Sequence, residues 1–184
     1  TVVRNEHIDD DLAVETARRL LEAGIDVDME TDVTCLSLFP SGAVSEFENA
    51  HTLRTMEEFE PLARKFGIVK FCMRNPEASR LERVLPFCLE HYTMCDLQGG
   101  VLEFSLRGVD KAAGIACALE ALGRGRANTY AFGDSENDLS MVDAVETFVA
   151  MGNALPNVKE RAAYVTDSVD DDGVATGLAH FGLI

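Results

Sequence analysis

Apolar residues recur along the chain at helical spacing, then at strand spacing, then at helical spacing again. Leu12, Thr16 and Leu20, with Ala13, Ala17 and Leu21, form one helical stripe that Gly24 closes. Asp9, Asp10 and Asp11 open it. Acidic side chains suit the positive end of a helix dipole, so these three read as a solvated helix start. Residues 25–30 alternate apolar and charged, the pattern of a half-exposed strand. Residues 33–39 predict the next strand, ended by a Pro40-Ser41-Gly42 turn. Thr55-x-x-Glu58 predicts a capped helix through Lys65, with Gly67 beyond it. Pro61 requires either a kink in that helix or a later start near Glu60. Residues 68–73 read as a strand. Leu81, Val84, Leu85, Cys88 and Leu89 mark a helix interrupted by Pro86. Residues 92–97 and 101–106 flank Gln98-Gly99-Gly100 as a hairpin. Strand-helix-strand segments with a closing hairpin predict a sheet with helices on one face.

The pattern changes after residue 106. Asp110 is a fair N-cap, and Ala112, Ile115, Ala116, Leu119 and Leu122 predict the buried face of a helix. Short apolar strands end at Phe132, Met151 and Thr166. Helices are predicted near 139–142, from Pro156 through Ala162, and at 174–181. Alternating strands and helices imply a parallel sheet.

Between the first of these strands and its helix lies Gly133-Asp134-Ser135-Glu136-Asn137-Asp138. The carboxyl end of a strand in an open α/β sheet is where ligands bind. Two carboxylates with neighbouring amide and hydroxyl oxygens suit a hard cation such as Mg²⁺. Ser135-x-x-Asp138 also fits a capping box, and the two readings are compatible. Capping accounts for Ser135 and Asp138 but not for Asp134 or Gly133. Lys111 sits in the first turn of its helix, where a cation is disfavoured. An ammonium there would bind phosphate.

The 133–138 segment resembles the fourth motif of the haloacid dehalogenase (HAD) phosphatases, in the form found in the Cof-type, class IIB subfamily. Val109-Asp110-Lys111-Ala112-Ala113-Gly114 resembles the third motif. Met151-Gly152-Asn153-Ala154 and Asp172-Gly173-Val174-Ala175 resemble later loops, all in the family's order. The resemblance implies an α/β fold made of the C-terminal half of a Rossmann-like HAD core (residues 107–184) and an α/β class IIB cap (residues 1–106). It implies a Mg²⁺-dependent phosphatase acting on small phosphorylated metabolites, sugar phosphates above all, through a phospho-aspartate. Lys111 would be catalytic and, with Asn137, bind phosphate. Asp134 and Asp138 would bind the metal. A phosphomutase of the same superfamily, or a non-catalytic phosphate- or metal-binding module, are the alternatives.

A member of this family also carries a nucleophile motif, Asp-x-Asp-x-Thr, after a buried strand. Asp26-Val27-Asp28 does not qualify, because Glu30 fills the fifth position and Gly24 precedes it. The expectation is therefore a fragment lacking the nucleophile segment, inactive alone. Its sheet edge would associate with that segment or with a second copy.

Composition narrows the partners. The formal net charge is −16, from 32 acidic and 16 basic residues. This argues against nucleic acid and anionic membranes. No apolar run reaches the ~18 residues of a membrane span. Cys35, Cys72, Cys88, Cys95 and Cys117 form no CxxC pair and sit among apolar residues, as buried thiols of a reducing, cytoplasmic setting would. Asp170-Asp171-Asp172 reads as a solvated turn. Arg74, His51 and His91 are isolated groups that could face a ligand.

Overall fold

The computed structural model describes residues 2–97 and 99–184. The fold is α/β throughout, and the chain divides into two compact units, Asn5–Arg107 and, for the most part, Gly108–Ile184.

The first unit begins with α1 (Asp10–Ala23). Asp9 caps it, accepting from the backbone N–H groups of Asp11 and Leu12, and Gly24 ends it in the left-handed region. There follow β1 (Val27–Glu30), β2 (Cys35–Leu38), β3 (Ala50–Leu53), α2 (Met56–Phe66), β4 (Lys70–Arg74), α3 (Ala78–His91), β5 (Tyr92–Asp96) and β6 (Val101–Leu106). The strands form one sheet in the order β3-β2-β1-β4-β6-β5, antiparallel except for the β2–β3 pair. Both prolines lie inside continuous helices. α2 starts at Met56 with its Thr55–Glu58 capping box formed, so the later start near Glu60 does not occur. The predicted hairpin is present, although its Gln98 lies outside the described residues.

Period-two alternation divides this sheet into two unlike faces. Val27, Met29, Leu36, Leu38, Phe71, Met73 and Phe104 are buried in the cluster that also holds Ala13, Ala17 and Leu20 of α1. Phe71 is its centre. Its ring stacks on Phe104 at 4.9 Å and meets Tyr92 edge-on at 5.0 Å. The Tyr92 hydroxyl shares a 2.7 Å hydrogen bond with Thr16, so the one polar tip in the cluster is satisfied. Across the sheet the partners are Asp28, Ser37, Cys72 and Glu103, a polar row. Strand β1 is not half-exposed as its alternation predicts. Asp28 is only 2% exposed, because Arg74 and the 39–49 connection close over it.

The second unit runs α4 (Lys111–Ala121), β7 (Tyr130–Gly133), a 3-10 helix (Glu136–Asp143), β8 (Thr147–Ala150), α5 (Pro156–Arg161), β9 (Tyr164–Val165) and α6 (Gly173–His180). Its sheet is parallel, in the order β7-β8-β9. Met141, Val145, Phe148, Ala150 and Val158 form its core. The apolar face predicted for α4 is not buried. No residue of that helix is buried, and Leu122 beyond its end is 71% exposed. The helix packs on the 3-10 segment and presents the rest of its apolar residues outward. Among the described residues no helix is long and apolar enough to cross a membrane.

Phe71→Ala removes the ring that Phe104 and Tyr92 both contact. We expect the unfolding free energy of the first unit to fall by about 3–5 kcal/mol. Urea denaturation followed by near-UV circular dichroism would measure it. A change below about 1 kcal/mol would show that the cluster is not the centre of that core.

Candidate active site

The parallel register brings three loops together at the carboxyl ends of β7, β8 and β9. Each hands its neighbour a backbone bond. Met151 N donates to Gly133 O at 3.0 Å, Leu155 N to Asp134 O at 2.9 Å, and Gly152 N to Asp167 O at 2.8 Å. Gly152 is needed here because a Cβ would come within 2.6–3.0 Å of the 166–168 backbone. Gly133 is needed because a Cβ would lie 2.5 Å from the Cβ of Asp138. The 3-10 helix therefore starts tight against the end of β7, with the Asp138 carboxylate tucked beneath the turn.

That carboxylate is 3% exposed. Its Oδ2 accepts from the backbone N–H groups of Asp134 at 2.8 Å and Ser135 at 3.1 Å, the returning limb of a capping box. Its Oδ1 accepts from Lys111 Nζ. Burial pushes the Asp138 carboxyl up. The Lys111 bond and the two backbone N–H groups outweigh burial and hold it below the usual carboxylate value. Lys111 is the first residue of α4, above the Asp110 cap, which accepts from Ala113 N at 2.8 Å. Its ammonium is about half exposed, with Asn137 Oδ1 3.5 Å away.

Asp134 is placed differently. It is exposed, on the rim of the loop. Its Oδ2 accepts from Asn153 Nδ2 at 3.0 Å, and Ser135 Oγ lies 3.3 Å from its Oδ1. Asn153 Oδ1 accepts from Val169 N at 3.0 Å, so this amide ties Asp134 to the loop after β9. The site thus unites Lys111, Asn137 and Asp138, with Asp134 on the adjoining rim. Sequence reasoning gave Ser135 only its capping role, which the structure forms, and gave Asn153 no role of its own. The Met151-Gly152-Asn153-Ala154 segment was visible, but its contact with Asp134 exists only once β7 and β8 pair. The aspartates at 170–172 form a 3-10 turn with exposed side chains.

A sequence profile of the haloacid dehalogenase-like hydrolases matches residues 1–178. The chain belongs to that family. YkrA of Bacillus subtilis (strain 168) is 49% identical over 77 residues, 42% of this chain and 30% of that protein. The 5-amino-6-(5-phospho-D-ribitylamino)uracil phosphatase YcsE of the same organism is 44% identical over 82 residues, 45% of this chain and 33% of that protein. Each match covers only about a third of the relative. The fold is that of the HAD subclass IIB sugar phosphatase BT4131, with a TM-score of 0.80 at 23% identity over 100% of this chain and 70% of that one. A HAD-like hydrolase from B. subtilis gives 0.81 at 21% identity, covering 96% and 72%.

Within this HAD-like fold the donor set can be tested against Mg²⁺. Among the described residues no three His, Cys, Asp or Glu side chains converge as a cage. Mg²⁺ does not need one, since it is commonly held by one or two carboxylates together with substrate phosphate. The exposed Asp134 carboxylate fits that habit. Asp138 does not offer the same, because Lys111 and two backbone N–H groups already engage its oxygens.

The depressed Asp138 pKa sets a pH dependence. Its stabilisation is fully present above the unfolded value, about pH 4, and is lost as pH falls below it. We expect the thermal midpoint of the second unit to drop as pH falls from about 4 through the lowered Asp138 value. Asp138→Asn would start lower at neutral pH and fall less across that window. Parallel profiles for the two proteins would remove Asp138 as the titrating group.

Proposed function

We propose that this chain carries the phosphate-holding half of a Mg²⁺-dependent HAD phosphatase for small phosphorylated metabolites, sugar phosphates among them. The carrying observation is the Lys111 ammonium held by a buried carboxylate beside an exposed one at the end of a parallel strand. Lys111, kept in place through Asp138, binds a phosphoryl oxygen as a compact charge. Asn137 adds a polar contact on the same side. Asp134, oriented by Asn153, holds the metal. Bound Mg²⁺ supplies charge neutralisation at the phosphoryl oxygens. Asp138 acts through Lys111 and the turn and is not itself a ligand in this reading, which departs from the shared-metal role expected from the sequence.

The reaction in this reading needs an attacking carboxylate. One of its oxygens forms a bond to phosphorus as the ester P–O bond breaks and the alcohol leaves with a proton. Water then hydrolyses the phospho-aspartate. No Asp-x-Asp-x-Thr sequence occurs in the 184 residues, so the reading takes the nucleophile from outside them. Asp28 is unsuited, being buried and bonded to Arg74 and Ser37. Three of the five thiols, the buried ones, are unsuited as well, whereas Cys95 and Cys117 are only half-buried and not buried as expected from the sequence. Burial pushes those of Cys35, Cys72 and Cys88 up to about 12, which keeps them protonated.

With Mg²⁺ and p-nitrophenyl phosphate, the 184-residue chain alone is expected to give no turnover. A version joined to a segment carrying the nucleophile motif should hydrolyse the ester. Lys111→Ala in that version should lose about 10²–10³-fold in kcat, the size of a charge-stabilising group. Robust turnover by the chain alone, abolished by Asp134→Ala, would overturn the external nucleophile.

The same reading bears on partners. β7 has one unpaired edge among the described residues, and no residue of α4 is fully buried. Unpaired edges with apolar surface recruit strands. The isolated chain should self-associate, and the nucleophile segment should disperse it. A monodisperse monomer in light scattering at micromolar concentration would refute this.

A further inference from the structure

The loop after β8 carries a charge that the phosphoryl chemistry leaves unused. Pro156 opens α5 directly behind that loop, and Lys159 lies in the last turn of the short helix. A cation suits that end of a helix and usually extends into solvent there. Lys159 does not. Side chains on a helix lean toward its N-terminus. Lys159, itself half-buried, reaches back seven residues, and its Nζ donates to Gly152 O at 2.5 Å. Among the described residues its ammonium forms no ion pair, so a full charge serves one backbone carbonyl.

That carbonyl belongs to the planar peptide joining Gly152 to Asn153. One bond back, Gly152 N donates to Asp167 O at 2.8 Å, and two residues on, Leu155 N donates to Asp134 O at 2.9 Å. The peptide plane is held from several sides, and with it the direction in which the Asn153 side chain leaves the backbone. Asn153 is exposed, yet its amide donates to Asp134 Oδ2 at 3.0 Å and accepts from Val169 N at 3.0 Å. Holding two partners at once costs rotamer freedom, and a fixed backbone lowers that cost.

We propose that Lys159 is a positioning residue. By fixing the Gly152–Asn153 peptide it keeps Asn153 on Asp134, and so keeps the Asp134 carboxylate turned for a hard cation. This rests on the reading of Asp134 as the group that holds the metal. The sign of the effect separates positioning from charge. Lys159→Met removes a positive charge, which by Coulomb attraction alone would tighten the binding of a cation. Positioning requires the opposite.

The full chain is titrated with Mg²⁺ alone and followed by NMR. Lys159→Met should raise the Mg²⁺ dissociation constant about tenfold, the lower end of what losing an outer partner costs a metal site, with the circular dichroism spectrum intact. Lys159→Arg keeps a donor for Gly152 O and should restore most of the affinity. Arg161→Met removes the neighbouring cation of α5 and should not weaken binding. In an Asn153→Ala background, Lys159→Met should weaken binding no further. In the metal-free chain, Lys159→Met should also shift the side-chain amide resonances of Asn153. Tighter or unchanged binding in Lys159→Met, while Asp134→Ala abolishes binding, would overturn the positioning role. Unmoved Asn153 resonances would overturn it as well. Mg²⁺ shifts that are absent, or that survive Asp134→Ala, would instead overturn the metal reading of Asp134, and the Asn153 resonances then decide the hold of Lys159 by themselves.

Discussion

The pairing of Lys111 with Asp138 is the interaction on which the second unit's site depends. Each charge is poorly placed without the other. A cation in the first turn of a helix is disfavoured by about 0.3–1 kcal/mol. A carboxylate at 3% exposure is disfavoured by more, unless it is hydrogen-bonded. Together they meet, and two backbone N–H groups complete the acid. Because Lys111 remains half exposed, the pair's net stabilisation lies nearer that of a surface bridge than of a buried one. Its consequence is mainly geometric. Lys111 at the start of α4 and Asp138 in the 3-10 helix after β7 lie 27 residues apart in sequence, and this bond joins them.

A second constraint follows from how close that approach is. Asp138 reaches back under the turn only because position 133 has no side chain, and the β8 loop meets the β9 loop only because position 152 has none. The glycines are conditions for the three loops to touch. Asn153 then turns the contact into orientation, one end of its amide on Asp134 and the other on the Val169 backbone. A carboxylate on an exposed rim would otherwise sample several rotamers.

What the sequence revealed was whatever is local. The α1 caps, the Thr55–Glu58 box, the strand-turn-acid order at 130–138 and the parallel sheet all rest on neighbours a few residues apart. What stayed hidden depends on distant pairing. Strand β3 is four residues, Ala50-His51-Thr52-Leu53, with no alternation strong enough to mark it, and it exists because β2 offers an edge. Asp28 looked like the solvent side of a strand, and a loop and an arginine buried it. Pro61 and Pro86 each remove one helical bond, yet packing on α1 keeps α2 and α3 continuous. The buried face expected for α4 is not buried, since α4 is apolar nearly all round and apolar spacing says nothing about what covers a helix.

The fold uses one device twice with different chemistry. In each unit a nearly buried aspartate, itself held by protein donors, grips a basic side chain that stays partly exposed. On the parallel sheet the base is a lysine, whose ammonium is a compact charge without preferred direction. On the antiparallel sheet it is an arginine whose Nε is consumed by the grip, so that only a planar pair of Nη groups faces outward. A point charge stabilises charge wherever it develops nearby, as phosphoryl oxygens require. A fork matches the spacing of two acceptor oxygens. The anchoring acid is alike in both places. The base it holds sets the shape of the positive charge each unit presents.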